Sequence, residues 1–261
     1  MKVSDRTFIV SGGSSGLGLA AVQDLLLSEN THVVILDRSS PPQFDTSSRV
    51  KFIKIDITSA SDLTRATAET IAWTKTTGAR LGGVINCAGV GTAGKIIDAS
   101  GEPHSPDLWD FTIAVNLTGT FNLTRLVLQH LVTVDPEEDA DGERGVVVFV
   151  SSAAAFEAQP GQTAYAASKG ALRSMTLPMA RDLARHAVRV VSIAPGVFDS
   201  AMTANFPGKT RRSLETEGVV YPRRFGKAEE FARTVRWVLE CAYVNGETVR
   251  LSGAGRLPAK L

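Results

Sequence analysis

Phe8-Ile9-Val10 runs directly into Ser11-Gly12-Gly13-Ser14-Ser15-Gly16-Leu17-Gly18, and the segment Leu17–Leu27 puts Leu17, Ala20, Ala21 and Leu25 on one side of a helix. An apolar strand, a glycine-rich turn and a helix, in that order, open a βαβ unit. The spacing Gly12-x-x-x-Gly16-x-Gly18 gives each glycine a task. Gly12 permits the tight turn, Gly16 lets backbone approach a pyrophosphate, and Gly18 lets the helix close against the sheet. The phosphates are then expected at the positive end of the helix, against Gly12, Ser15, Gly16, Leu17 and Gly18.

Outward from this turn the same alternation recurs. With Phe8–Val10, the runs His32–Leu36, Val50–Ile55, Gly83–Ile85, Val146–Val150, Arg189–Ile193 and Thr248–Leu251 predict about seven strands. They are rich in Val and Ile and almost unbroken by polar positions, the pattern of parallel strands covered on both faces. Amphipathic segments separate them, such as Ala228–Cys241 with Phe231, Val235, Val238 and Leu239. The expectation is an α/β fold: one doubly wound Rossmann domain over residues 1–261, helices on both faces. Two stretches interrupt it: the acidic Thr133–Arg144, expected as a solvated excursion, and Ser200–Tyr221, a long connection where a substrate lid would sit.

Composition removes several function classes. A net charge of +1 offers no basic field for nucleic acid, and no apolar run reaches the length of a membrane span. Met1–Thr7 is polar and predicts no signal peptide. Cys87 and Cys241 have no metal-type spacing, and His32, His104, His130 and His186 are scattered. No metal is therefore expected, and the thiols read as reduced and intracellular.

The strand ends extend the dinucleotide reading. Asp37 follows the second strand, where a carboxylate accepts hydrogen bonds from the adenosine ribose and repels a 2′-phosphate. NAD is thus favoured over NADP, with Arg38 offsetting part of the repulsion. Asp56 and Ile57 are placed to meet the adenine, and Asn86, Cys87, Ala88 and Gly89 to line the same edge. Cys87 has no base beside it and reads as a small packed residue.

Beyond the fifth strand, Ser152 precedes Tyr165-Ala166-Ala167-Ser168-Lys169. Tyr165 and Lys169 are four apart and share a helical face. A free phenol titrates near pH ~10, and a nearby ammonium together with an oxidised nicotinamide would lower that value. Tyr165 could then move a proton to or from an oxygen held by Ser152 while hydride moves, interconverting a secondary alcohol and a ketone.

At this point the chain resembles the short-chain dehydrogenase/reductase family over nearly its full length. The glycine turn, Asn86-Cys87-Ala88-Gly89, Asn116, Ser152, the Tyr165/Lys169 pair and Pro195-Gly196 carry the resemblance. It implies a catalytic set of Asn116, Ser152, Tyr165 and Lys169, with Asn116 helping to hold a water that relays protons to the lysine. It also implies that Tyr165 and Lys169 touch the cofactor, and that the segment after Pro195-Gly196, through Val197, Phe198 and Ser200, holds the nicotinamide carboxamide. Ser11 and Ser200 stand where threonine is usual, and both keep the hydroxyl.

Within that family, Asn116–Asn122, Ala153–Pro160, Thr176–Asp182 and Ile193–Phe198 resemble the type 2 3-hydroxyacyl-CoA dehydrogenases, which also oxidise hydroxysteroids. The resemblance implies an acyl-CoA substrate and a homotetramer. Apolar Leu117, Phe121, Leu126 and Leu128, with Leu172, Met175, Leu177 and Met179, support assembly by exceeding what one sheet face covers. Lys209, Arg211 and Arg212 suit either CoA phosphates or a solvated face. Ala259-Lys260-Leu261 is similar to a peroxisomal address; without it the expected location is cytoplasmic. The alternatives are a ketone reductase of a specialised biosynthetic pathway and a non-catalytic dinucleotide sensor.

Overall fold

The seven apolar runs become seven strands in a computed structural model: β1 (Arg6–Ser11), β2 (His32–Asp37), β3 (Val50–Lys54), β4 (Arg80–Asn86), β5 (Gly145–Val150), β6 (Val188–Pro195) and β7 (Thr248–Leu251). The structure describes residues 1–44, 47–138, 141–200, 203, 208, 212 and 214–256, without the side chains of 47, 216 and 217. Strand pairing extends several strands beyond their apolar centres, because ladder hydrogen bonds do not depend on side-chain polarity. Arg6, Arg80 and Asn86 are thereby strand residues. All pairings are parallel, in the order β3-β2-β1-β4-β5-β6-β7.

Side chains along a strand alternate between faces, and here both faces are apolar. Val146, Val148 and Val150 of β5 face one core with Ala21, Val22 and Leu25 of α1 (Gly16–Leu25). Phe231, Val235 and Leu239 of α6 (Ala228–Glu240) complete that layer. Val147 and Phe149 face the other core, with α2 (Ala60–Thr77), α4 (Thr120–Leu131) and α5 (Thr163–Leu183). This is one α/β domain of three layers. Its strand order reverses between β1 and β4, which opens a crevice at their carboxyl ends.

The helical stretch before β5 is not one continuous α-helix. Helix α3 (Pro106–Ile113) passes into α4 through a π turn at Ala114–Gly119 that contains Asn116. Single π turns inside helices recur at functional sites.

The structure corrects two expectations. Thr133–Arg144 is not simply solvated, because Glu137 and Glu143 are buried. Glu137 pairs with Arg6 at 2.8 Å, and Glu143 pairs with Arg189 at 2.7 Å and with the Met1 amine at 3.0 Å. The Arg189 guanidinium also donates to the carbonyls of Val238, Leu239 and Val244, at the end of α6 and just beyond it. The carboxylates neutralise arginines at the amino ends of β1 and β6, and that long-range pairing overrides the polarity of the loop. The second expectation, the apolar surplus around α4 and α5, is corrected only in part, since most of these residues are covered within the chain but stay half-buried. Leu172 is buried, and Leu117, Leu126, Leu128, Met175 and Met179 pack on the same core within the chain. Of the eight, Phe121 and Leu177 remain exposed.

Candidate active site

The glycine turn is shaped by close approaches. A Cβ on Gly18 would lie 2.2 Å from the Gly12 carbonyl oxygen, and one on Gly12 would lie 2.7 Å from the Ala88 nitrogen. Gly12 and Gly16 also take positive φ, at 68° and 53°. Among the described residues, a Cβ on Gly16 would approach Ser200 alone, at 3.7 Å, an ordinary contact distance. Ser15 begins α1 without a side-chain cap, which leaves the first amides of the helix without a capping side chain. Ser14 Oγ is buried with no partner among the described residues.

These elements border a cavity of about 800 Å³ along the carboxyl ends of the strands. At one end Asp37 accepts hydrogen bonds from the Ser14 and Ser39 amides, each at 3.1 Å, which fixes its carboxylate beside the turn. Arg38, Asp56 and Ile57 line the same end. The Thr58 hydroxyl and amide donate to Asp56 and hold its carboxyl below the usual range. Cys87, Ala88 and Gly89 form the floor, with Pro195, Gly196, Phe198 and Ser200 along the far wall. Burial pushes the Cys87 thiol up to about 12, so it is an inert packed group.

Ser152, Tyr165 and Lys169 line the opposite end. Lys169 is buried, and its Nζ lies 5.9 Å from the Tyr165 ring centre while donating to the Val150 carbonyl at 2.8 Å. Burial pulls the ammonium down to about 8. It also pushes the Tyr165 phenol above its ordinary value, opposed by a hydrogen bond with the Ser152 hydroxyl. In the protein without the dinucleotide, desolvation of the ring dominates and Ser152 is the group opposing it; the expected lowering also needs the oxidised nicotinamide beside the phenol.

Three further residues named from the sequence are engaged elsewhere than along the cavity lining. Asn86 does not line the cavity. Its amide turns inward to Thr124 at 3.2 Å and to the Val148 carbonyl at 3.3 Å, because the strand's last side chain points into the α4 layer. Val197 is also outside the wall, and its carbonyl accepts from the Gly226 amide at 3.0 Å. Asn116 is fully buried, with both amide hydrogens engaged: by the Val90 carbonyl at 3.0 Å and the Ser168 hydroxyl at 3.1 Å. Its Oδ1 accepts from the Val90 amide at 2.8 Å. The Asn116 side chain thus braces the β4 exit against α5, and a Cβ on Gly89 would lie 3.1 Å from its Oδ1 and 3.3 Å from Lys169 Nζ, so the amide and the ammonium border the same spot.

Sequence reading missed other parts of the site. Ser151 Oγ donates to the Lys169 carbonyl at 2.7 Å, so strand β5 and the catalytic helix grip each other in both directions. Val90, Gly91, Phe111 and Thr203 also line the cavity. Position at a strand's carboxyl end was the available signal for Val90 and Gly91. Phe111 and Thr203 come from elements whose docking no local pattern reveals. Lys209 and Arg211 lie outside the described residues, as do Ala259, Lys260 and Leu261; Arg212 is exposed.

A family model for short chain dehydrogenases matches residues 6–210. The chain belongs to the short-chain dehydrogenase family. It is an oxidoreductase of that type, acting between alcohol and ketone with a nicotinamide dinucleotide. This short-chain dehydrogenase is similar to 3-hydroxyacyl-CoA dehydrogenase type-2 of Bos taurus, 38% identical over 95% of this chain and 94% of the relative. It is also similar to ipsdienol dehydrogenase of Ips pini, at 31% over 98% and 99% of the two chains. Among solved structures, 3-hydroxyacyl-CoA dehydrogenase type-2 from Mycobacterium avium superposes with a TM-score of 0.85 and 31% identity, over 98% and 97% of the chains. The cavity suits the dinucleotide: a glycine cradle with no room for side chains at Gly12 and Gly18, uncapped helix amides, and a fixed carboxylate at the far end.

Proposed function

We propose that this short-chain dehydrogenase uses NAD(H) to interconvert 3-hydroxyacyl-CoA and 3-ketoacyl-CoA, with Ser152, Tyr165 and Lys169 as its catalytic residues. The observation that carries this reading is one continuous cavity with Asp37 at one end and the Ser152–Tyr165 hydroxyl pair at the other. When bound, the dinucleotide supplies the centre that gives or takes hydride. The protein supplies the proton chemistry. Ser152 holds the reacting oxygen beside Tyr165, which donates its proton as the phenol in reduction and accepts one as the phenolate in oxidation. Lys169 holds a positive charge behind that phenol in a water-poor wall, where each charge counts for more. Gly12, Gly16 and the first amides of α1 would hold the pyrophosphate, and Gly196, Phe198 and Ser200 would border the nicotinamide.

The acyl-CoA assignment draws support from the bovine relative, a 3-hydroxyacyl-CoA dehydrogenase, and from the length over which the two chains match. Acetoacetyl-CoA and a small ketone ester without CoA, each reduced with NADH, test it. Efficiency on the thioester should be about tenfold higher or more, given that a lost set of binding contacts worth about 1.4 kcal/mol costs tenfold. Equal efficiency would favour the second reading, a ketone reductase, to which the similarity with ipsdienol dehydrogenase lends support. The proposal extends to a homotetramer, with Phe121 and Leu177 still exposed, and to the peroxisome through Ala259-Lys260-Leu261.

Asp37 makes the choice of cofactor testable. Asp37→Ala should shrink the kcat/KM preference for NADH over NADPH by relieving repulsion at the 2′-phosphate, with Arg38 left to attract it. A wild-type preference for NADPH would show that Arg38 outweighs Asp37.

Lys169 gives a pH dependence with a definite sign. Below about 8 the free enzyme holds Lys169 as a cation, and above it the charge is lost. kcat/KM for NADH reports groups of the free enzyme, so it should fall as pH rises through that value. In Lys169→Met the falling limb should be absent. A wild-type profile that stays level well above that value would remove Lys169 from cofactor capture.

A further inference from the structure

Arg250 lies on β7, paired in register with Ala194 of β6, and takes no part in the chemistry described above. Its guanidinium nevertheless joins three segments around the substrate end of the cavity. It pairs with both carboxylate oxygens of Glu157, one at 2.8 Å and the other closer. It donates to the Gly255 carbonyl at 2.9 Å and, through Nε, to Ser252 Oγ at 3.0 Å. It also covers the Phe156 ring at 5.3 Å, while Arg173 covers the same ring at 4.3 Å. The Arg250 and Glu157 side chains retain 18% and 26% exposure, so the bidentate pair is partly withdrawn from water.

Each end of this strut leads to the site. Glu157 closes a short turn that begins at Ser152: Ser152 Oγ accepts from the Ala154 amide at 3.1 Å, and the Ser152 and Ala153 carbonyls accept from Ala155, Phe156 and Glu157. A hydroxyl at the start of such a turn moves with the carboxylate at its end. On the other side, the Ser252–Gly255 turn holds the end of the connection that follows β6. The Gly253 carbonyl accepts from the Val220 and Tyr221 amides, each at 3.1 Å. A Cβ on Gly255 would lie 2.2 Å from the Gly218 oxygen, so the two backbones touch. Leu251 binds Gly196 at 2.8 Å, which brings in the wall beside the cofactor.

We propose that Arg250 is a positioning residue for substrate, its bidentate grip on Glu157 fixing the Ser152 turn against the base of the segment at 218–221. This rests on the reading that Ser152 faces the reacting oxygen. The strut's side-chain bonds go to Glu157, Ser252 and Gly255, and its link to the cofactor wall, Gly196 to Leu251, is a backbone bond that Glu157→Gln and Arg250→Met leave in place. Loss of the strut therefore acts on how the ketone is held, not on NADH binding.

The test uses Glu157→Gln, which keeps size and removes the charge, with Arg250→Met and the double variant beside it. In wild-type buffer, KM for the ketone, kcat and the NADH dissociation constant are measured for each. Glu157→Gln should raise KM by about fivefold or more and leave NADH affinity within about twofold. The double variant should be no worse than the worse single one, as expected for two residues acting as a unit. Arg250→Lys, which keeps the charge but not the fork, should recover part of the loss. A KM within about twofold of wild type in Glu157→Gln, or an equal loss of NADH affinity, overturns the proposal even if Arg250→Met fails to fold. The Ser152 reading is checked separately: Ser152→Ala must lower kcat, and if it does not, the premise has failed rather than the strut.

Discussion

Replacing Tyr165 with phenylalanine should lower kcat for ketone reduction about a thousandfold, with NADH affinity kept within about threefold of wild type. Only the phenolic oxygen is removed, and positioned proton transfer contributes about 10²–10⁴ to such reactions. The ring stays, so the wall it forms and the 5.9 Å approach of Lys169 are retained. A small residual rate is expected, because Ser152 still holds the ketone oxygen and the bound dinucleotide still lies alongside. Stopped-flow single turnovers separate this loss from product release. A variant keeping more than about a tenth of the wild-type rate would mean that another group carries the proton, and the proposed chemistry would have to be abandoned.

The second large effect lies at the other end of the sheet and is one of stability. Glu143 meets the Arg189 guanidinium and the Met1 amine with side-chain exposures of 6%, 7% and 0% for the three groups. Glu143→Ala leaves a buried cation without its counter-charge, which costs about 3–5 kcal/mol. For a chain of this size about 2–4 °C accompanies each kcal/mol, so the melting temperature should drop by about 10 °C. Glu138→Ala, one residue from Glu137 and exposed, should stay within about 1 °C. Folded Glu143→Ala should keep near-wild-type kcat at 25 °C, since the cavity is at the opposite strand ends. A drop smaller than about 2 °C would show that the three Arg189 carbonyl bonds suffice alone.

What could be read from sequence was what depends on neighbours in the chain. The Gly12–Gly18 turn announces itself because its strand, turn and helix are contiguous. The unbroken Val and Ile of β5 reveal two covered faces because alternation is a property of the strand itself. The Tyr165/Lys169 pair is legible because four residues make about one helical turn. Side-chain direction at a strand end was not legible. Asn86 and Val197 follow the same kinds of motif as Ala88 and Phe198, yet packing turns them elsewhere. Asn116 was singled out, but its bond to Ser168, 52 residues away, decides what its amide does. Composition marked the acids of Thr133–Arg144 as solvated, since nothing local states that Arg6 and Arg189 need partners. Arg250 and Glu157, 93 residues apart, stayed invisible for the same reason.

The buried ion pairs and the cavity occupy opposite ends of the same strands, Arg6 and Arg189 at the entrances of β1 and β6, Ser11 and Pro195 at their exits. Such a layout separates durability from chemistry. Exit-side loops can be lengthened, shortened or recomposed for a new carbonyl while the clamps at the entrances keep the sheet assembled. Substrate range should therefore be easier to re-engineer in this chain than heat tolerance, and changes made at the two rims should combine with little interference.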